Sequence, residues 1–383
     1  MNWVNFIHFY QPPLASDETI HEVVRSSYKP WVSFLDKNKN TKITMNMTAC
    51  LTNRLVELGY GEILSKITEL FEEGQIEMVE SAAFHSILPL LPEKEIKKQI
   101  DINNQINKKY FGKKYKPQGF YLPEMAYNEK VAKIIKEVGY KYIILDEILY
   151  KGNLKDKPKT NLKHKIDKIG LKVVFRDRKI SRTFVPITLL ELIDKNKKTD
   201  EYIITATDGE LYGHRYEDWY RHYEKLINNK QINTLTISEY LKKISNEINI
   251  RPKPGSWEST TREIKNKNYY SVWLHPKNKI QELLWTLAEF ALKLNYKNQN
   301  DPNHFASRLH LEKGLASCTF WWASKKDFKL MQPAAWDPEM VEAGAKELLN
   351  SVRSLENIKK EDKIIAEKIF GQIRNKIWHK HWR

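Results

Sequence analysis

The sequence predicts an α/β fold of the barrel type, followed by a helical region. Strand-like runs alternate with helix-like runs of about 10–15 residues over the first two thirds of the chain, which is typical of βαβ units and a parallel sheet. Many of the strand-like runs end in polar residues, as the strands of a barrel do where they open toward a site. Beyond about Pro276 the pattern is helical throughout.

Eight segments have the apolar and β-branched composition of strands. Two of them follow helical stretches that end at a glycine, Gly74 and Gly139, as helices commonly do. The predicted strands are residues 3–9, 42–48, 75–79, 119–122, 140–146, 171–177, 201–208 and 234–237. The Lys-rich segment 151–170 is predicted to be an exposed loop.

A change of composition near residues 250–276 predicts a domain boundary, because the segment RPKPGSWEST is rich in turn-forming residues. The segments that follow have helical periodicity and no strand of comparable strength. We therefore expect a barrel domain over residues 1–270 and a helical domain over residues 271–383 that packs on the barrel.

The composition excludes several classes of protein. The chain has 383 residues, 41% hydrophobic and 29% charged, so it can bury a large core and is not disordered. No apolar run approaches about 18 residues, so no transmembrane helix is expected, and the first residues resemble a strand more than a secretion signal. With only Cys50 and Cys318, both expected to be buried, neither a disulfide framework nor a Cys-based zinc site is expected, and a cytoplasmic location is predicted.

The net charge of +16 raises the question of a nucleic-acid partner. The excess comes mainly from lysines scattered among asparagines and isoleucines, whereas base and phosphate recognition favours the bidentate guanidinium of arginine. We therefore predict no nucleic-acid partner.

Four motifs place polar side chains where strands end. HFYQPP supplies His8 and Gln11, GQIEMVESAAFH supplies Glu77 and His85, FYLPEMAY supplies Glu124, and TDGELYGH supplies Asp208, Glu210 and His214. Side chains alternate along a strand, so Glu77 and Glu80 cannot both point the same way. A buried histidine is often only a hydrogen-bonded core group, and acids near helix starts can serve the helix dipole. A hydrolytic metal site made from His8, His85, Asp208 and His214 is an alternative, although the spacing matches no HExxH-type motif.

Aromatic residues form a further group of candidates. PGSWEST carries Trp257 and Glu258, and CTFWWAS carries Trp321 and Trp322, among 11 tryptophans in total. Flat indole faces suit the C–H faces of sugar rings, but neighbouring tryptophans are equally typical of a core. The abundance of tryptophan favours a carbohydrate ligand.

With its motifs in this order, the chain resembles glycoside hydrolase family 57, whose members act on α-glucans as amylases, 4-α-glucanotransferases, amylopullulanases and branching enzymes. The resemblance extends from residue 3 to about 325 and includes FRDRKIS, with Arg176 and Asp177. Two departures are Tyr121, where many members have tryptophan, and a fifth motif with Ser317 and Cys318 where an acid usually precedes the aromatic residues. The resemblance implies an incomplete seven-stranded (β/α) barrel followed by a helical region.

The resemblance also implies a retaining mechanism, with Glu124 as nucleophile and Asp208 as general acid/base, and their carboxyl groups about 5 Å apart. The implied substrate-binding residues are His8, Gln11, Glu77, His85, Arg176, Asp177, Glu210, His214, Trp257, Glu258, Trp321 and Trp322. No metal or cofactor is implied. The expected activity is that of an α-amylase or a 4-α-glucanotransferase on α-1,4-glucans, and the sequence leaves the oligomeric state open.

Three alternatives stay open. They are a metal-dependent polysaccharide deacetylase-like enzyme, a glycan-binding protein that has lost its catalytic activity, and an RNA-associated protein.

Overall fold

The computed structural model describes residues 1–195, 202–216, 219–324 and 335–382. It has an α/β fold with two mainly parallel sheets, which confirms the predicted fold class. The strands are β1 Asn2–Phe9, β2 Ile43–Met47, β3 Ile76–Met78, β4 Gly119–Tyr121, β5 Tyr142–Asp146, β6 Lys163–Ile166, β7 Lys172–Arg176, β8 Tyr202–Asp208, β9 Asn233–Leu235 and β10 Glu247–Ile250.

Helices connect most of these strands and predominate after the last of them. A π-helix, Val24–Tyr28, joins the first two. The α-helices are α1 Asp17–Val23, α2 Lys29–Lys37, α3 Ala49–Glu57, α4 Gly61–Glu72, α5 Glu93–Phe111, α6 Glu129–Val138, α7 Arg178–Ser181, α8 Val185–Asp194, α9 Trp219–Ile227, α10 Ile237–Lys243, α11 Thr261–Lys265, α12 Lys279–Lys297, α13 His304–Gly314, α14 Ser317–Trp321, α15 Pro338–Ser354 and α16 Lys360–His381.

The first sheet has β1 at its centre. Its strand order is β3-β2-β1-β8, and β9 pairs with the beginning of β1. The register sets His8 opposite Asn46 on β2 and opposite Asp208 on β8. The carboxyl ends of parallel strands meet at the same edge of a sheet, so these three polar residues come together there.

The second sheet has the order β10-β6-β7-β5-β4, and only the β6–β7 pair is antiparallel. The sheets meet at two seams with few hydrogen bonds. At one, an isolated parallel bridge joins Glu80, just after β3, to Phe120 on β4. At the other, the amide of Asp177 donates to the carbonyl of Ile204 on β8 at 2.8 Å.

The eight predicted strands coincide with β1–β5 and β7–β9, because each carries a strongly apolar run. The prediction for segment 151–170 was wrong in part, because it contains β6. In Lys163–Ile166, half-buried lysines alternate with the buried side chains of His164 and Ile166. The two lysines masked the alternation of apolar and polar residues by which a strand is recognised in a sequence. Strand β10 was not predicted.

The chain divides into two compact units. The first contains residues 1–11, 15–83 and 88–266, and the second contains residues 12–14, 84–87 and 267–383. Cys50 is buried and Cys318 is half-buried. No helix in the described ranges is long and apolar enough to cross a membrane.

Candidate active site

The turn after β8 carries two acids, Asp208 and Glu210, on either side of Gly209. An ideal Cβ at Gly209 would lie 2.2 Å from the Phe9 ring, so only glycine fits there without movement. The carbonyl of Gly209 accepts hydrogen bonds from Ser27 Oγ at 2.9 Å and from Trp31 Nε1 at 3.3 Å. The backbone between the two acids is therefore fixed by packing and by hydrogen bonds.

Glu210 is a buried carboxyl in a negatively charged neighbourhood. It is 4% exposed, and Tyr28 donates a hydrogen bond from its hydroxyl to Glu210 Oε1. Burial and the nearby charge of Asp208 raise the pKa of Glu210 from 4.5 to about 7, although the Tyr28 hydrogen bond and Arg215 act in the opposite direction. Near neutral pH this carboxyl therefore exists in both protonation states.

His8 lies opposite Asp208 and is also buried. Its Nδ1 is 2.8 Å from Asn46 Oδ1, and its ring contacts Tyr10 and Tyr121, with centroids 5.7 and 4.6 Å away. Burial lowers the pKa of His8 to about 4, in spite of Asp208 and Asn46, which raise it. His8 is therefore neutral at pH 7 and can take part in hydrogen bonds to uncharged hydroxyl groups.

Glu124 follows β4 in an unusual backbone conformation. Its φ is +58° and that of the next residue, Met125, is +47°, although side chains other than glycine rarely adopt this left-handed region. Strain of this kind persists where the surroundings determine it, and it is common at functional sites. Trp257 supplies two restraints: its Nε1 donates to Glu124 Oε2 at 2.7 Å, and its amide donates to the Glu124 carbonyl at 3.2 Å.

The loop that carries Trp257 is joined to the Glu124 loop by a short antiparallel bridge. Tyr127 and Gly255 exchange backbone hydrogen bonds of 2.8 and 3.1 Å. Gly255 has a φ of +153°, and a Cβ there would lie 2.7 Å from Leu149, so the close approach of the two loops requires glycine. The turn-rich segment that suggested a domain boundary therefore contributes to the site.

Tyr121 links the two acidic loops. It is buried, and the charges of both Glu124 and Asp208 add to burial in raising the pKa of its hydroxyl. Its ring also packs on His8, with centroids 4.6 Å apart, and His8 lies opposite Asp208 in the register of β1 and β8. Arg176 acts on the same hydroxyl in the opposite direction.

Two arginines pack on Trp257, and the first of them, Arg176, belongs to a buried ion-pair group. Asp146, fully buried at the end of β5, accepts from Arg176 Nε at 2.9 Å and from Arg178 Nη1 at 3.2 Å. Arg176 Nη1 also donates to the carbonyl of Ala206 at 2.8 Å and so spans the seam between the two sheets. Its guanidinium carbon lies 5.6 Å from the centroid of the Trp257 ring, a cation–π distance.

Arg182 lies at the same distance, 5.6 Å, from the Trp257 ring. Its Nη2 donates to Glu258 Oε1 at 2.7 Å and to the Trp257 carbonyl at 3.3 Å. Glu258 is buried and Arg182 is half-buried, so this ion pair is partly shielded from water. The two arginines and Glu258 hold the indole that contacts Glu124.

Two predicted site residues, Glu77 and Asp177, have other contacts. Glu77 accepts from Tyr142, from Thr44 and from both the amide and the hydroxyl of Ser238. Asp177 caps α7 by accepting from the Ile180 amide at 2.8 Å. Both carboxylates therefore have hydrogen-bond partners within the protein.

His214 is half-buried, and its Nδ1 lies 3.3 Å from Ser26 Oγ and 3.6 Å from Glu22. Three more predicted residues, His85, Trp321 and Trp322, belong to the second unit. There His85 Nδ1 is 3.0 Å from Ser317 Oγ, and the Trp321 ring packs on Trp273 with centroids 5.8 Å apart. His85 has a φ of +55°.

Sequence reasoning missed four residues of the site: Tyr28, Asn46, Asp146 as an ion-pair partner, and Arg182. Asp146 and Asn46 were visible as polar residues within or at the end of apolar strands. Tyr28 and Arg182 lie in helical or loop segments with ordinary composition and give no such signal. Within the described residues, no group of three or more His, Cys, Asp or Glu side chains is arranged to hold a metal ion.

The fold and the site define an α/β protein with acidic side chains at the carboxyl ends of parallel strands. The chain belongs to glycosyl hydrolase family 57, whose sequence profile matches residues 5–251. This confirms the resemblance inferred from the motifs.

Several curated relatives are similar over part of the chain. Alpha-amylase 1 of Dictyoglomus thermophilum is 31% identical over 141 residues, which are 37% of this chain and 20% of that protein. The 4-alpha-glucanotransferase of Thermococcus litoralis is 24% identical over 268 residues, 64% of this chain and 39% of that protein. The chain therefore spans well under half the length of these relatives.

Two solved structures share the fold. The 4-alpha-glucanotransferase of Thermococcus litoralis has a TM-score of 0.75 at 17% identity, covering 94% of this chain and 59% of that one. The GH57-type branching enzyme of Pyrococcus horikoshii has a TM-score of 0.70 at 16% identity, covering 99% and 95% of the two chains. At this identity the likeness concerns the fold alone.

Proposed function

We propose that the protein is a retaining glycosidase that acts on α-1,4-glucans, as an α-amylase or a 4-α-glucanotransferase. The observation that carries this proposal is the packing of Tyr121, three residues before Glu124, on His8, which lies opposite Asp208, while Trp257 holds the Glu124 carboxylate. Family membership and the α-amylase and 4-alpha-glucanotransferase relatives support the substrate class.

In the proposed mechanism Glu124 attacks the anomeric carbon while Asp208 protonates the departing glycosidic oxygen. The bond from the sugar to this oxygen breaks, and an ester forms between the sugar and the Glu124 carboxylate. Asp208 then removes a proton from water or from a sugar hydroxyl, which attacks the same carbon and releases Glu124. Water gives hydrolysis, and a sugar hydroxyl gives transfer. No metal or cofactor takes part in these steps.

The surrounding side chains would orient both reactants. Trp257 holds the nucleophile in its strained backbone position, and Arg176 and Arg182 hold Trp257. Neutral His8 is suited to a hydroxyl of the sugar at the cleavage site, and Glu210 and Gln11 are suited to polar contacts near Asp208. We keep substrate contacts by the remaining predicted residues in this proposal on the basis of their motifs alone: Glu77, His85, Arg176, Asp177, His214, Trp257, Glu258, Trp321 and Trp322.

We also propose the finer architecture that the family resemblance implies, an incomplete barrel of seven strands. Strands β1, β2, β3, β4, β5, β7 and β8 would form its wall, and the two sparse seams between the sheets support this arrangement. Residues 1–270 would form the catalytic domain and 271–383 the helical domain. We propose a cytoplasmic location, which the low cysteine content supports.

The test is product analysis on maltoheptaose with the wild type, Glu124→Ala and a control, Glu129→Ala. Glu129 is an exposed acid five residues further on, ion-paired with Lys133 at 2.7 Å. We expect shorter products from the wild type, or a ladder of shorter and longer oligomers if it transfers, and the same products from the control. Glu124→Ala should be inactive, and azide should restore cleavage by taking the place of the lost carboxylate. A fully active Glu124→Ala variant would overturn the assignment of the nucleophile.

A further inference from the structure

Tyr28 lies outside every motif of the sequence but at the centre of the polar contacts around Glu210. It is the last residue of the π-helix Val24–Tyr28, which separates α1 from α2, and it is 0% exposed. Turns of π-helix within helical segments are rare and frequently occur at functional sites.

Two motifs meet at the hydroxyl group of Tyr28. It donates a hydrogen bond to Glu210 of the TDGELYGH motif and shares another with the side chain of Gln11 of the HFYQPP motif. Its ring stacks on Phe9 of that second motif, with centroids 4.5 Å apart and an angle of 19° between the planes. Tyr28 therefore joins two strand ends that are about 200 residues apart in sequence.

The same helical turn also holds the backbone beside Glu210. Ser27, the neighbour of Tyr28, donates to the Gly209 carbonyl at 2.9 Å. The neighbours Ser27 and Tyr28 therefore hold both the backbone of Gly209 and the side chain of Glu210. Because its side chain and the adjacent backbone are both held, Glu210 loses little further conformational entropy when substrate binds. Accurate orientation of a catalytic site requires this.

We propose that Tyr28 is a positioning residue that holds the carboxyl group of Glu210 beside Asp208. This inference rests on the proposed function, in which Asp208 carries the proton for the leaving oxygen. A carboxyl group fixed in this position keeps its oxygen atoms at a constant place beside Asp208, so loss of the Tyr28 hydroxyl reaches the chemical step through Glu210. Tyr28 contacts no reacting atom and acts through Glu210.

The groups that act on Glu210 determine how its titration responds to loss of the hydroxyl. They are Tyr28 from the π-helix, Asp208 from β8, and Arg215 from the chain that follows. The Tyr28→Phe substitution removes a hydrogen bond to the charged form of Glu210 and leaves the other two groups in place. The pKa of Glu210 should therefore rise from about 7 by about one unit.

The experiment compares the wild type with Tyr28→Phe, Glu210→Gln and the double variant. A matched control is Tyr223→Phe, since Tyr223 is equally buried and its hydroxyl accepts from Asn5 at 3.2 Å. Two readouts are recorded: the pH dependence of kcat and KM on maltoheptaose, and an infrared titration of the protonated carboxyl band that is absent in Glu210→Gln.

We expect Tyr28→Phe to lower kcat about tenfold with KM changed less than about threefold, and to move the infrared midpoint upward by about one pH unit. Tyr223→Phe should change neither the infrared midpoint nor the ratio of kcat to KM, and Tyr28→Phe should have no further effect on kcat in the Glu210→Gln background. An unchanged infrared midpoint in Tyr28→Phe, or an equal loss of kcat in the Glu210→Gln background, would overturn the inference. If the wild type does not cleave maltoheptaose, the proposed function fails, and the infrared titration still decides whether Tyr28 controls Glu210.

Discussion

Replacing Gly209 with alanine would test how tightly the turn between Asp208 and Glu210 is packed. An ideal Cβ at this position lies 2.2 and 2.3 Å from two carbons of the Phe9 ring and 3.3 Å from Ile7. Carbon atoms in contact are about 3.5–4.0 Å apart, so the turn or the ring must move by about 1 Å. A displacement of about 1 Å at a catalytic group costs about 100-fold in rate, and overpacking costs about 1–3 kcal/mol of the free energy of unfolding. We therefore expect Gly209→Ala to lower both the rate of glucan cleavage and the free energy of unfolding by these amounts.

The assay is the initial rate on maltoheptaose together with chemical unfolding. Gly61→Ala is the matched control, because nothing lies within 4 Å of a Cβ at Gly61 and its φ is not positive. The double variant Phe9→Leu/Gly209→Ala, compared with Phe9→Leu alone, should recover part of the rate, since the smaller side chain makes room. A wild-type kcat in Gly209→Ala would show that the turn tolerates the methyl group and would refute the packing argument.

Three further predictions follow from the contacts of the site. Trp257→Phe, which loses the 2.7 Å hydrogen bond to Glu124, should lower kcat by about 10–100-fold, measured as glucan cleavage. Asp146→Asn, which leaves the buried Arg176 without its charge partner, should lower the free energy of unfolding by about 3–5 kcal/mol in urea titrations. Burial raises the pKa of Glu210 above its unfolded value, so this group disfavours folding increasingly as the pH rises from about 4.5 to about 7. Glu210→Gln should therefore gain stability relative to the wild type by about 2–3 kcal/mol between pH 4.5 and pH 8, measured by unfolding at each pH.

The first two of these predictions each have a matched control. Trp3→Phe removes an indole hydrogen bond of similar length, 2.8 Å, to the neutral hydroxyl of Thr205, and should change stability more than kcat. Glu191→Gln breaks an exposed ion pair with Lys195 and should cost less than about 0.5 kcal/mol. A Trp257→Phe variant with full activity, an Asp146→Asn variant as stable as the wild type, or a pH-independent effect of Glu210→Gln would each contradict the corresponding reasoning.

The sequence predicted the strands well because most of them are buried on both faces and therefore strongly apolar. β5 and β8 are examples, with buried residues at every position except the last of β8. β6 was missed because lysines occupy alternate positions, and β10 because it has a buried side chain only at Ile250. Strand prediction failed where one face meets solvent and the charges there mask the pattern.

The candidate site was predicted where polar residues end apolar strands. His8, Glu124, Asp208 and Glu210 were identified in this way, and the structure gives each of them contacts consistent with a site. The contribution of Tyr28 was not predictable, since its meeting with Glu210 depends on the path of a helix that joins β1 to β2. Because Tyr28 and Glu210 are about 180 residues apart in sequence, the local composition around either residue does not indicate their contact.

The central position of β1 has a consequence for biosynthesis. Its seven buried positions, Trp3–Phe9, are synthesised well before those of its neighbour β8, which begins 200 residues later at Tyr202. At about 5–20 residues per second, β1 waits about 10–40 s for this partner. By contrast, β4, β5, β6 and β7 all lie between Gly119 and Arg176, so four of the five strands of the second sheet can pair while the first sheet is incomplete. The high contact order of β1 makes its pairing with β8 a slow step of folding, and the edge of this apolar strand that faces β8 is unpaired until then.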